Sequence, residues 1–157
     1  MAQSFEVIEN GASQPSRPFR KHPMNISTFG DLLRAAREQS NAQRLLFVFA
    51  QAGVPDDATA EQRARFESGQ GGTLTPLMCV DKAPDELGSF DALLEESRQF
   101  GQAWDIVFVA SLSGSGRVGP TADQAQESLQ RMIESIQSGA ISRFIAFDLH
   151  GQPVQFG

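Results

Sequence analysis

The chain has one cysteine, no tyrosine, one tryptophan and two histidines in 157 residues. A single thiol, Cys79, closes no disulfide within the chain, so nothing asks for an oxidising compartment. One cysteine with His22 and His150 does not make a zinc site at the usual ligand spacing, so no metal is expected. No apolar run nears the roughly 18 residues that a membrane helix needs. The longest are short, such as 45–50 and 106–110. Neither a Walker A sequence nor an H-E-x-x-H occurs.

Basic residues are also scarce. There are 13 Lys and Arg against 19 Asp and Glu, a net charge of −6. Residues 1–23 hold three of the basic and two of the acidic side chains, which leaves the remainder at −7. Nucleic-acid binders draw their affinity from phosphate contacts and show a basic face, so this balance argues against one. The expectation is a cytoplasmic protein with no nucleic-acid, membrane or cofactor requirement.

What is present is an ordinary globular mixture, 40% hydrophobic and 20% charged, at a length of about one domain. Residues 1–23 carry Pro15, Pro18 and Pro23 without periodicity and read as a disordered tail. With Met24 as the true start, they would be an upstream extension. From there the pattern is regular. Ser27 or Thr28 caps a helix with Phe29, Leu32, Leu33 and Ala36 on one face. The run 45–50 (LLFVFA) has strand length and the continuous apolarity of a strand covered on both sides. Asp56 and Asp57 precede and cap a second helix that Gly69 stops, and 74–80 is the second strand. Pro76 places it at an edge or a bulge. Ser89 caps the third helix, 106–110 is the third strand, and Thr121 with Gln124 forms a capping box opening a long helix that Gly139 ends. A strand at 144–147 and a turn at His150-Gly151 into a last short strand at 154–156 close the chain.

Helices alternating with buried strands predict a single α/β domain over 24–157, with helices packed on a mixed, mainly parallel sheet of four to five strands. At an offset of 61, residues 28–48 and 89–109 match at seven positions, among them Phe29/Phe90, Leu32/Leu93, Arg37/Arg98 and Phe47/Phe108. Thr59-Ala-Glu-Gln62 also matches Thr121-Ala-Asp-Gln124. The chain therefore reads as two pseudo-repeated helix–strand–helix–strand halves, near 28–82 and 89–149.

One loop carries a chemical pattern. Gly114, Gly116 and Gly119 spell G-x-G-x-x-G after a strand and before a helix. Such a loop can offer backbone N–H groups to a phosphate at a helix N-terminus, with a later strand-end acid on a ribose. The candidate ligand-binding set is Gly114, Ser115, Gly116, Arg117, Gly119, Thr121 and Asp148. Against a dinucleotide, Pro120 and the Thr121 cap start the helix after the last glycine, and Asp148 follows Gly119 by 29 residues rather than ~20. Cys79, Asp81, Asp148 and His150 would make an enzymatic site only if the fold brought them together. No catalytic residue is assigned from spacing. The leading expectation is a non-enzymatic interaction or regulatory domain, binding a protein partner or itself. The alternative is a small-molecule or nucleotide/phosphate-binding protein using 111–121.

The stretches LLRAAREQ, QRLLFVFA, LTPLMCVDK, DIVFVA and FIAFDLHGQPV resemble a family of short uncharacterised proteobacterial proteins often labelled ribonucleotide reductase subunit alpha. The resemblance implies at most an accessory role beside such an enzyme. Reductase catalysis needs a radical-carrying cysteine, a redox pair of cysteines and tyrosines for radical transfer, in a much longer chain; one Cys and no Tyr leave no active-site residue to carry over.

Overall fold

The computed structural model describes residues 6–7, 14–15, 28–54, 57–67 and 73–154. Its elements are β1 (Glu6–Val7), β2 (Gln14–Pro15), α1 (Phe29–Arg37), β3 (Gln43–Gly53), α2 (Ala60–Glu67), β4 (Thr73–Lys82), a 3-10 turn (Pro84–Glu86), α3 (Phe90–Arg98), β5 (Ile106–Ser113), α4 (Ala122–Gln137) and β6 (Ile145–Phe147). Most of the segment 1–23 and the helix stop at Gly69 lie outside the described residues, as does the last strand beyond Val154.

The sheet corrects the expected mainly parallel arrangement. Its order is β1-β4-β3-β5-β6, with β2 also on β4, and every pairing is antiparallel. Helix length accounts for the first of these directions. A parallel crossover must carry the chain back to where the first strand began. The 11 residues of β3 extend about 36 Å, and the eight residues of α2 rise only about 12 Å. So β4 starts at the end where β3 finishes and runs back beside it. Helix α4 has 16 residues and is long enough to return, but it lies over β4 and β3. The chain then re-enters the sheet at the level of Ala110, where Phe144 shares two clefts with it, and β6 descends antiparallel to β5.

Both faces of the sheet are covered, which is what the continuous apolar runs encode. Leu45, Phe47 and Phe49 of β3, with Met78, Val80, Val107, Val109, Ile145 and Phe147, meet α1, Leu93 of α3 and Trp104. The alternate residues Leu46, Val48 and Ala50, with Cys79, Ile106, Phe108 and Ala146, meet Ala125, Leu129, Met132, Ile133 and Ile136 of α4. Thus the two-residue period of the strands sorts each run into two cores. On the first face Phe29 stands edge-on to Phe90 and Phe147, at 5.3 and 5.6 Å between ring centres. Ser97 is tolerated in the apolar stripe of α3 because its hydroxyl donates to Leu94 O and accepts from Trp104 Nε1 at 2.9 Å.

The caps follow the sequence at three helices. Thr28 and Ser89 accept from Asp31 N and Ala92 N, and Thr121 and Gln124 form the reciprocal box. At α2 the cap is Thr59, which exchanges bonds with Gln62, rather than Asp57. Asp56 lies outside the described residues. Pro76 sits at a bulge, where the β3–β4 register shifts between Phe49 and Ala50. In the central pair Phe47 faces Val109 and Val48 faces Phe108. The positions matched at an offset of 61 therefore exchange partners about a local two-fold axis, with β4 and β6 outside them.

Candidate functional site, an open strand edge between two clefts

The glycine-rich loop is a folded turn. Gly114 N–H donates to Ala42 O, Ser115 and Val118 exchange both backbone bonds, and Gly116 N–H donates to Asn41 Oδ1 at 3.0 Å. Gly116 takes a φ of 56°, and a Cβ on Gly114 would overlap the Val118 carbonyl oxygen. The glycines thus serve chain geometry. The N–H groups of Gly114, Ser115 and Gly116, which a phosphate cradle would present, are spent inside the turn. Thr121 is spent on its cap. Of the set, Arg117 and Gly119 line a cleft of about 510 Å³ shared with Arg37 and Arg44. There Arg44 pairs with Asp81 and Glu86, and Arg37 with Asp85 and the Pro84 carbonyl.

Asp148 is elsewhere. Phe147 pairs with Val107 near the start of β5, so Asp148 lies at the opposite end of that strand from the loop. Its carboxylate accepts from His150 N and Gln152 N and closes the last turn. Gly151, at a φ of 75°, passes the Phe90 ring there. Nor does the fold assemble Cys79, Asp81, Asp148 and His150. Cys79 is buried on β4 in the core under α4, Asp81 follows two residues on, opposite Leu46 and paired with Arg44, and β3 and β5 separate both from β6. Lys82 projects to the opposite face from Cys79 and pairs with Glu96 of α3 at 3.0 Å. No group of three or more metal-ligating side chains occurs among the described residues, and no described helix is long and apolar enough to cross a membrane.

The feature with unmet bonding capacity is the outer edge of β5. Of the residues of β5, strand β6 pairs with Val107, Phe108 and Val109. Beyond them, residues 110–113 of β5 have β3 on one side and, among the described residues, no strand on the other. Two observations fix which groups face out. Gly114 N–H points to Ala42, so the N–H groups of Leu112 and Ala110, an even number of residues away, face β3 as well. Val154 N–H bonds Ala146 O, so Ala146 faces away from β5 while Ile145 and Phe147 face Val109 and Val107. Ser111 and Ser113 continue that outward series, and both are exposed. Their hydroxyls are held on the α1 side by one residue. Gln43 accepts from Ser111 Oγ and donates to Ser113 Oγ at 2.8 Å.

A cleft lies on each side of this edge. On the α1 side it has a volume of about 380 Å³ and apolar walls from Leu32, Ala36, Leu45, Val109 and Ile145. On the α4 side it has about 680 Å³, with Leu112 and Met132 beside Ser128, Arg131 and Ser135. Ala110, Ser111, Arg143 and Phe144 line both. Arg143 is exposed and makes no ion pair among the described residues. Sequence reading missed Gln43 and Arg143. The alternation Ser111-Leu112-Ser113 after an apolar strand was the available signal for a strand that leaves its neighbour. Comparison with family models, with curated proteins and with solved structures finds no match for this chain.

Proposed function

We propose that the chain is a non-enzymatic, cytoplasmic interaction domain that receives an extended segment of a partner protein along the open edge of β5. The observation that carries the reading is the pair of outward backbone units at Ser111 and Ser113, which no strand among the described residues pairs where β6 begins at Ile145. An exposed edge templates another strand, and main-chain bonds supply affinity while pockets for alternate side chains supply selectivity. The clefts on the two faces of the sheet stand where those alternate side chains fall.

The test uses Ser111→Pro. Proline removes the outward N–H and leaves the β3 ladder intact, which edge strands tolerate. A photo-reactive residue at Ser113 of the full chain should cross-link a defined partner in cells, and Ser111→Pro should abolish the product while the protein stays folded by circular dichroism. Identical products from both proteins would refute the reading.

A further inference from the structure

We infer that the segment taken up at this edge is the C-terminal tail of a partner, docked antiparallel to β5 with its terminal carboxylate on Arg143; the inference rests on the strand-addition reading above. The open stretch has a closed foot. An incoming strand shares its lane with β6, and Ile145 already fills the place opposite Val109. Just above, the chain enters β6 through a turn in which Phe144 N–H donates to Ile141 O, and that turn sets Arg143 at the foot of the edge. A strand laid along residues 110–113 must therefore end or swerve there.

Among the described residues, the upper end has no such stop. Beyond Ser113 the backbone turns towards Asn41 and Ala42, where Gly114 and Gly116 are held, and the lane beside it stays clear of β6. The preceding residues of a docked chain can leave in that direction. The edge thus receives an end of a chain more readily than its middle.

Charge selects which end. A parallel strand would bring an α-ammonium to Arg143, like against like. An antiparallel strand brings the α-carboxylate, with which a guanidinium forms short, charge-assisted bonds. Arg143 has no carboxylate of its own to displace among the described residues. The chain carries a net charge of −6, and among the described residues Arg143 is an exposed cation without an ion pair at this edge. Side chains of the tail alternate between the apolar cleft on the α1 side and the mixed cleft on the α4 side, so apolar and polar residues alternate in a fitting tail.

The test is selection of a display library of random heptapeptides with free C-termini on the full chain. Enriched peptides are synthesised as the free acid and as the amide, and binding is read by fluorescence anisotropy. The free acid should bind at least about tenfold more tightly than the amide, the size of one charge-assisted bond. Arg143→Gln should bring the two forms level, and Ser111→Pro should remove both. If acid and amide bind the unaltered protein equally, or binding follows an internal Asp or Glu instead, the carboxylate inference falls. Loss of that binding in Ser111→Pro would then still uphold strand addition. If no peptide is enriched, or Ser111→Pro leaves binding unchanged, both fall.

Discussion

The two edges of the sheet are finished in opposite ways. On the β4 side the chain pairs its own early residues with the edge: Glu6–Val7 opposite Cys79 and Met78, and Gln14–Pro15 opposite Leu74 and Thr73. Pro76, which lacks an N–H, falls between those two paired stretches. On the β5 side, β6 covers three residues and stops. An edge that serves only the fold is blunted by pairing, proline or a bulge, and β4 carries all three. Among the described residues, the upper half of β5 carries none of them. That contrast is the ground for the proposal that this stretch pairs with a strand from outside the molecule.

The largest expected effect comes from the residue that holds the top of the open edge. Gly114→Ala sets a methyl group against the Val118 carbonyl, so the turn must open and its bonds to Asn41 and Ala42 are strained. A loss of about 3 kcal/mol is expected, which calorimetry should read as a fall in Tm of roughly 6–12 °C. A fall no larger than a surface substitution produces would show that the turn does not hold the edge.

Next is a pair that checks the direction of the backbone groups. Leu112→Pro removes an N–H aimed at β3 and leaves a carbonyl there unpaired, a loss of about 2–3 kcal/mol. Ser111→Pro removes an outward N–H and should cost about 1 kcal/mol or less. Urea denaturation of the two variants reads the difference directly, and the reverse order would turn the proposed edge inside out.

A smaller effect is expected at the other edge. Removing residues 1–23 strips β1 and β2 from β4. A few backbone bonds along the edge are lost, so stability should fall by about 1–2 kcal/mol. Amide exchange should quicken along 73–79 and stay unchanged along 110–113. Faster exchange at both edges would mean that the two are coupled and the contrast is not local.

Much of this fold was legible because it is written in short-range chemistry. The caps at Thr28, Ser89 and Thr121 and the bulge at Pro76 each need only a few neighbouring residues. Strand direction was not legible, because a continuous apolar run says that both faces are covered and not which way the strand runs. The decisive quantity was the reach of α2 against the length of β3. The matched Thr-Ala-acid-Gln quartets turn out to be two capping boxes, Thr59 with Gln62 and Thr121 with Gln124, so a shared local task accounts for them. The candidate site was hardest to see. An open edge is a statement about where β6 ends, and its cation, Arg143, reaches Ser111 only through the fold. The glycine pattern drew attention to residues that close a turn, next to the ones that matter for the edge.

The smallest expected effect on stability is also the most selective. Ser111→Lys places a charge on an exposed strand edge, the device by which such edges are commonly kept from pairing. The side chain points to the α1 side, where it loses the bond to Gln43, while Gln43 keeps its bonds to Ser113 Oγ and the Asn41 carbonyl. One part-buried hydrogen bond is lost, and the Gln43 Oε1 that it frees borders the cleft, where water or the lysine ammonium can donate to it, so the change in stability should stay near 1 kcal/mol or below. The same lysine lies across the lane of an incoming strand and over the mouth of the 380 Å³ cleft. Cross-linking from Ser113 should therefore fall to background while the urea midpoint hardly moves. A variant that unfolds the protein would make Ser111 part of the fold, and one that leaves cross-linking intact would move the partner off this edge.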